Sequence, residues 1–485
     1  MRILTAITWL PIVGVAVIML LPRGQARLAK AVALAAAGGS LVLSWGLLIS
    51  FDRSSSEPQF TERTTWIPEL GMTYSLGVDG LSFPMILLTT LLSVVALIAS
   101  LKVDRNIKAY FAWMLLLEFA ILGVFVARDW FLFYVFWEIA LVPMFFLIGM
   151  WGGPKKERAT LTFFLYTLGG SIFMLLGIFA VYLATDPHTF DMAAIEAASG
   201  EWTRGFQIAP FLAFFVGFAV KIPVFPLHGW LPLAHVQAPT PVSIMLSGVL
   251  LKLGAYGILR VADALPLGLQ AFLPWLFALA LINILYGAFL AFRQTDLKAI
   301  VAFSSISHMG FVLLGIAALN VTGVSGAVFM MLAHGIITGG LFLLVGIIYE
   351  RTHTMDIGQL SGLSGQVPVY AGITVLALLA SMGLPGLAQF VGEFQTLIGA
   401  FERWGLFVLF ASLGILVTAT FTLRVIAGMF TGELDERWKA VHDLGGRELA
   451  AAVPLALLTV VLGIFPSFAL GLTDATVRAM TAITG

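Results

Sequence analysis

Three kinds of side chain in this 485-residue sequence can exchange protons, and they sit where water would not ordinarily reach them. Two are carboxylates, Glu138 in FYVFWEIALVP and Glu393 in GLPGLAQFVGEF. Two are amines, Lys221 in FFVGFAVKIPVFP and Lys252 in LLKLGAYGILR. Two are imidazoles, His308 in AFSSISHMG and His334 in FMMLAHGIITGG. A lysine, with a reference value near 10.4, exchanges protons readily near neutral pH only where burial or a second cation favours its neutral form. A carboxylate paired with it does the opposite, so a Glu–Lys pair that opens and closes is a switch for proton release. Neutral imidazole donates through one nitrogen and accepts through the other, which suits a relay. The plainer alternatives are packing ion pairs for Glu138 and Lys221, and hydrogen-bonded histidines tying helices together. Neither His308 nor His334 has a histidine or carboxylate three or four residues on, so no metal site is expected.

The surroundings of these groups are apolar. The chain is 60% hydrophobic and 11% charged, against about 25% charged in soluble domains. Apolar runs of about 20 residues recur from end to end, the pattern of a polytopic helical membrane protein. A net charge of zero argues against a nucleic-acid partner. Without cysteine there is no disulfide and no thiolate-ligated iron–sulfur or zinc site. Glycine-rich phosphate loops and nucleophile–base pairs are also missing, and any redox chemistry near this chain must be carried by something else. The apolar N-terminal stretch lacks a small-residue cleavage pattern and is followed by arginines; it reads as a first span rather than a signal peptide.

Fourteen spans are expected, near 3–21, 31–50, 82–101, 109–127, 130–150, 160–183, 209–226, 240–260, 270–291, 296–317, 323–348, 367–402 (broken), 406–429 and 450–470. The loop set holding Arg23, Lys102, Lys155, Arg351 and Arg447 carries fifteen basic residues, and the set on the side of both termini carries eight. The positive-inside rule then puts the richer set in the cytoplasm and both termini outside. Three bases, Lys221, Lys252 and Arg424, and three acids, Glu118, Glu138 and Glu393, fall inside spans. Arg424 lies near a helix end, where it can snorkel to the interface. The other five would cost roughly 12–18 kcal/mol if they faced lipid, so they must face protein or water. Glu118 has no motif around it and reads equally as packing or function.

These polar positions recur at a near-constant offset. Lys221 to Glu393 and Lys252 to Arg424 are each 172 residues apart, and Glu138 to His308 is 170. Proline-interrupted spans, KIPVFP at 221–226 and MGLPGLAQFVGEF at 382–394, fall in matching places. Paired broken helices point to a transporter built from inverted repeats with its ion sites at the breaks. Proline removes a backbone donor, so carbonyls beside Lys221 need other partners, and water at the break is the expected one. The fold expected is therefore an all-α polytopic membrane protein of about 14 transmembrane helices. It divides into a three-helix segment 1–107, a five-helix repeat 108–268, a second inverted repeat 269–430, each with a Pro-broken helix, and a cytoplasmic loop and C-terminal helix 431–485. His228 and His235 fall in the loop after the first break and read as surface or loop-packing residues. Ser304, Ser305 and Ser307 bridge waters or only pack.

KIPVFPLHGWLPLAHVQAPTPVS, LLKLGAYGILR, TDLKAIVAFSSISHMG and GLPGLAQFVGEF together resemble the antiporter-like subunits of respiratory complex I over nearly the whole chain. Within that family the chain looks most like the M subunit (mitochondrial subunit 4), because the second broken helix carries Glu393 where the L, N and Mrp chains usually carry lysine. The resemblance implies a proton-translocating membrane-arm subunit of NADH:quinone oxidoreductase, working beside L-type and N-type chains in a lipid bilayer. It implies no NADH, flavin, iron–sulfur or quinone site of its own. It also implies the bacterial inner membrane, with a thylakoid membrane as a second possibility. By the same resemblance Glu138, Lys221, Lys252, His308, His334 and Glu393 form the proton path, with Glu138 paired to Lys221. One departure stands out: the family usually reads HGWLPDAH, and here Leu233 replaces the aspartate. The competing readings are an Mrp-type sodium/proton antiporter subunit and a non-pumping membrane scaffold.

Overall fold

The structure is a computed structural model that describes residues 2–22 and 24–484; Arg23, one of the bases assigned to the cytoplasmic set, lies outside the described residues. In chain order the helices are α1 (Ile3–Leu20), α2 (Ala26–Gly46), α3 (Phe83–Ala99), α4 (Ile107–Val126), α5 (Trp130–Trp151), α6 (Lys156–Leu183), α7 (Met192–Ser199), α8 (Arg204–Lys221), α9 (Trp230–Gln237) and α10 (Thr240–Met245). They continue as α11 (Leu251–Ala264), α12 (Pro266–Arg293), α13 (Leu297–Ala318), α14 (Val321–Thr352), α15 (Leu363–Gln366), α16 (Pro368–Ser381), α17 (Ala388–Trp404), α18 (Leu409–Phe430), α19 (Gly446–Ile464) and α20 (Ser467–Thr484). Among the described residues thirteen stretches are long and apolar enough to cross a bilayer, and one of them, 388–430, contains both α17 and α18. The fourteen expected crossings are therefore present. The last one, expected to run to 470, ends at Ile464, however, and 467–484 is a separate helix.

The most enclosed helices are the ones that hold three of the expected site residues. The spans 240–264 and 321–352 are buried along their whole apolar windows and 297–318 nearly so, whereas α1 and α2 keep most of their surface outward. Lys252, His334 and His308 sit on those three. Two further cations also belong inside helices rather than loops. Arg260 is buried in α11 and Lys298 in the first turn of α13, where its amine donates to the Ala238 carbonyl. Segment 52–81 is more than a loop: Gln59–Ile67 (β1) and Met72–Val78 (β2) form an antiparallel hairpin, with Thr64 opposite Tyr74. Its turn ends at Gly71, φ +64°, where a Cβ would lie 2.5 Å from the His188 carbonyl oxygen. The hairpin covers the start of α1, because Glu62 accepts from the Leu4 N–H at 2.7 Å. On the same face the Thr476 hydroxyl of α20 accepts from the Gly80 N–H at 3.0 Å, so both ends of the chain lie on the hairpin face.

The inverted repeat is visible in backbone detail. Asp129 caps α5 by accepting from the N–H groups of Phe131 and Leu132, and Asp296 caps α13 by accepting from Ala299. Each of these aspartates also makes an isolated β-bridge, Asp129 with Asp191 and Asp296 with Asp356. The first lies at the hairpin face and the second at the opposite one. The two helix breaks match bond for bond. Val224 N–H reaches back to Ala219 O and Leu384 N–H to Leu379 O; Leu227 N–H bonds Val224 O and Leu387 N–H bonds Leu384 O. Lys221 thus corresponds to Ser381, each closing the first half of its broken helix, 160 positions apart. The 172-residue pairing of Lys221 with Glu393 is corrected by this: Glu393 lies beyond its break, in register with Leu233.

Candidate functional site

At the centre Lys252 is fully buried. Between α10 and α11 the helix widens into a π-turn, Leu246–Leu250, where the Leu251 N–H bonds five residues back to Leu246 O. Such a turn is where a side chain can be tied into the backbone ladder. The Lys252 amine donates to the Ser247 carbonyl and stands 2.6 Å from His334 Nδ1. The Ser247 hydroxyl meets Ser305 Oγ and Thr338 Oγ1, each at 3.2 Å, and so ties α13 and α14 to the widened turn. Among the described residues His334 Nε2 has no hydrogen-bond partner. The ring of His308 lies 5.6 Å from that of His334, centroid to centroid.

Beyond His308 the contacts converge on one amide. Gln389 Nε2 lies 3.0 Å from His308 Nδ1, 2.7 Å from the Ser381 carbonyl and 2.9 Å from Glu393 Oε1. His308 Nδ1 also stands 3.5 Å from Glu393 Oε1, and its Nε2 stands 3.3 Å from Ser381 Oγ. The glycine of the break, Gly383 (φ +79°), leaves room for the carboxylate; a Cβ there would sit 2.3 Å from Glu393 Oε2. Lys252, His334, His308 and Glu393 therefore form one connected set.

Glu138 and Lys221 are brought near each other but do not form an ion pair among the described residues. The Lys221 ammonium lies over two rings, Trp137 at 5.3 Å and Phe163 at 5.6 Å, within cation–π range. Glu138 has Ser171 and Lys221 as its polar neighbours, and its Oε1 is buried without a hydrogen bond. The proline break beside Lys221 was expected to admit water. Its freed backbone groups are instead held by protein: Trp230 Nε1 donates to Val220 O at 2.8 Å, Asn283 Nδ2 to Pro223 O at 3.1 Å, and the Phe225 N–H to Asn283 Oδ1 at 2.8 Å. The break packs directly on the Lys252 helix, since a Cβ on Gly254 would lie 2.6 Å from the Phe218 carbonyl oxygen.

Other positions fall differently from expectation. His235 is not a surface residue; it is fully buried, stacked on Phe342 at 4.5 Å, with Lys252 and Lys298 as its charged neighbours. His228 is buried against Phe225 and Tyr286. Glu118 is buried, and neither of its oxygens has a hydrogen-bond partner among the described residues. Arg424 donates to Gln294 O at 2.7 Å and lies over Phe292. The serines divide: Ser305 joins the central network, while Ser304 and Ser307 bond backbone carbonyls of Val301 and Ile284. The residue that sequence reasoning missed is Gln389. Its one signal is the i, i+4 spacing to Glu393, which puts both on one helix face.

Residues 127–420 match the family model described as NADH:quinone oxidoreductase/Mrp antiporter, TM. The chain belongs to this family. It is 42% identical to NADH-quinone oxidoreductase subunit M of Rhodobacter capsulatus over 481 residues, covering 96% of this chain and 94% of that one. It is 38% identical to NAD(P)H-quinone oxidoreductase chain 4 1 of a Nostoc species, covering 96% and 88%. Among solved structures, a chain of respiratory complex I from Thermus thermophilus aligns over the full length of both chains with TM-score 0.91 and 32% identity. A chain of the Mrp complex from a Dietzia species aligns with TM-score 0.85 at 22% identity, again over the full length of both, which shows a shared fold. The inverted repeats and broken helices described above are thus the architecture of an antiporter-like family member.

Proposed function

We propose that this chain is the M-type, proton-translocating membrane-arm subunit of a NADH-quinone oxidoreductase, assembled with L-type and N-type antiporter-like chains. Electron transfer belongs to other subunits, and no cofactor is assigned to this chain. The observation that carries the reading is the contact of the Lys252 amine with His334 Nδ1 at 2.6 Å, continued through His308 to Glu393. A proton leaves the Lys252 ammonium for His334 Nδ1 as His334 Nε2 gives up its own toward His308. The rings are 5.6 Å apart, centroid to centroid, and a water hydrogen-bonded to a nitrogen of each would complete the transfer. His308 passes the proton to Glu393, with Gln389 holding both in place. Lys252 is then neutral and is reloaded from Lys221. Lys221 releases its proton when Glu138 moves away from it and keeps it when Glu138 closes the pair. With Lys298 and Arg260 set aside as buried helix residues, fourteen basic residues against seven still support the hairpin face as the outer one, with both termini there. The membrane is a bacterial inner membrane, or a thylakoid one in a cyanobacterium.

Redox-linked proton uptake by inverted membrane vesicles tests this. Glu138→Ala and Lys221→Ala are expected to assemble with the complex and lose most of the proton uptake per electron. Normal uptake in either sinks the mechanism. Glu393 in place of a lysine weighs against sodium exchange, and the same assay without sodium decides it: uptake that requires sodium favours the Mrp-type reading.

A further inference from the structure

A sizeable cavity lies off this axis. It has a volume of about 490 Å³ and sits beneath the hairpin, between the start of α5, α7, the end of α11 and α20. At about 30 Å³ per molecule it has room for more than ten waters. Its walls include Asp79, Arg128, Glu196, Arg260 and Asp263, and its roof includes Thr476 and Ala479 of α20. Asp79 joins two guanidinium groups, Arg128 at 2.6 Å and Arg260 on the other oxygen. Burial alone would raise Asp79, but the two arginines outweigh it and hold the carboxyl far below the usual range. Burial pushes Glu196 up, against the pull of Arg260 and Arg128. Asp263, one turn past Arg260, has an oxygen with no hydrogen-bond partner.

The floor of the cavity points at the centre of the molecule. Lys252, Tyr256 and Arg260 lie four residues apart on α11, on one face, with side chains leaning toward the helix start. The Arg260 guanidinium covers the Tyr256 ring at 4.9 Å and its Nε donates to Tyr256 Oη at 2.9 Å. Tyr256 spends its only hydroxyl proton on the Phe125 carbonyl at 3.1 Å. A tyrosine bonded this way ends a chain of hydrogen bonds rather than extending it. Arginine does not deprotonate, so a fixed guanidinium cannot carry a proton and repels an approaching one.

We propose that this cavity is a water-filled vestibule open to the hairpin face, and that Arg260, held by Asp79, is a plug that keeps its water from Lys252. The proposal rests on the reading of Lys252 as the central proton site. A site reachable from both faces at once would dissipate the gradient it builds, and alternating access forbids that. With Arg260 in place, protons on Lys252 leave only through His334 and His308.

The chain has no cysteine, so single cysteines in the assembled complex report access to a membrane-impermeant cationic methanethiosulfonate, read as mass added to this chain. Ala479→Cys in the roof is expected to label from the hairpin face. Tyr256→Cys is expected to stay protected, and to label once Arg260→Met is added. An unlabelled Ala479→Cys overturns the vestibule, and labelling of Tyr256→Cys with Arg260 intact overturns the plug. In proteoliposomes without substrate, Arg260→Met should raise passive proton entry about tenfold, the scale of removing a barrier of a few kT. Lys252→Met added to it should restore the wild-type rate. A leak that ignores Lys252→Met, or no leak from an assembled complex, overturns the plug. Should Arg260→Met fail to assemble, Asp79→Asn releases the same guanidinium and is held to the same outcomes. Normal redox-linked pumping by Lys252→Met alone would instead overturn the functional reading, and the labelling results would still decide the plug.

Discussion

The two broken helices share a backbone and differ in chemistry. Their hydrogen bonds match residue for residue across an offset of 160 positions, from Ala219–Leu227 to Leu379–Leu387. In the first, the charge stands before the break, at Lys221, over aromatic rings and out of contact with Glu138. In the second, the position before the break is Ser381, and the charge comes after it at Glu393, wired through Gln389 to His308. The first site is loose, and the second is closed by hydrogen bonds. A cation held over ring faces is stabilised by about 0.5–2 kcal/mol, whereas leaving a buried ion without its partner costs about 3–5 kcal/mol. On the proposed mechanism the first repeat is therefore the one whose charge state a small movement changes, and the second is the one that must keep its geometry to pass a proton on. In that reading the inverted repeat supplies a switch and a wire from one architecture.

The largest break in this contrast is expected at the joint. His334→Leu removes the partner of Lys252 and leaves a buried amine with the Ser247 carbonyl alone. We expect proton uptake per electron to be lost and the assembled subunit to be destabilised by roughly 1.5–3 kcal/mol, the worth of a hydrogen bond to a charged group. The check is ΔpH formation in vesicles together with thermal stability of the purified complex. Full uptake would show that Lys252 delivers its proton by another route.

Gln389→Leu should do less. His308 and Glu393 remain within 3.5 Å of each other, but the Ser381 carbonyl and the carboxylate lose a shared donor, at about 1–3 kcal/mol for each buried group left unpaired. A drop in pumping of about tenfold corresponds to 1.4 kcal/mol on the limiting step. Gln389→Glu, which keeps the reach and adds a proton carrier, should recover more activity than leucine does. Equal loss in both would mean that the amide matters for packing and not for the path.

Much of this was legible before any coordinates. Long apolar runs give the crossings because a membrane leaves the backbone little choice, and the charges deep within those runs announced themselves by their cost. What the sequence hid was register. Lys221 and Glu393 looked equivalent because both are charges beside a proline, but the hydrogen bonds of the break assign Ser381 to Lys221. Gln389 was hidden because an uncharged amide in a span carries no large insertion penalty to mark it. Arg260 and Lys298 looked like loop bases because they lie within a turn or two of helix ends. The hairpin strands were obscured by strongly polar runs such as TERTT, which read as loop. His235 was misplaced for a related reason: a segment that reads as a loop after a break is in fact α9, turned back into the protein.

The smallest effect is expected at Leu233, and it tests the comparison most directly. By the register of the breaks Leu233 stands where Glu393 stands in the second repeat, yet Leu233 is 36% exposed and Glu393 only 4%. Equivalent backbone positions thus face different surroundings, and an acid at 233 would look out of the bundle instead of into the axis. This accounts for why leucine is tolerated where the family usually has aspartate: the connected set from Lys252 to Glu393 does not pass through it. Leu233→Asp should therefore leave proton uptake per electron unchanged. Its cost should appear in assembly, at no more than the roughly 2.5–3.5 kcal/mol of a charge at mid-membrane, and less if the site lies near the interface. A change in uptake per electron, in either direction, would mean that the outward face of α9 exchanges protons with the axis, and the division into a switch and a wire would have to be redrawn.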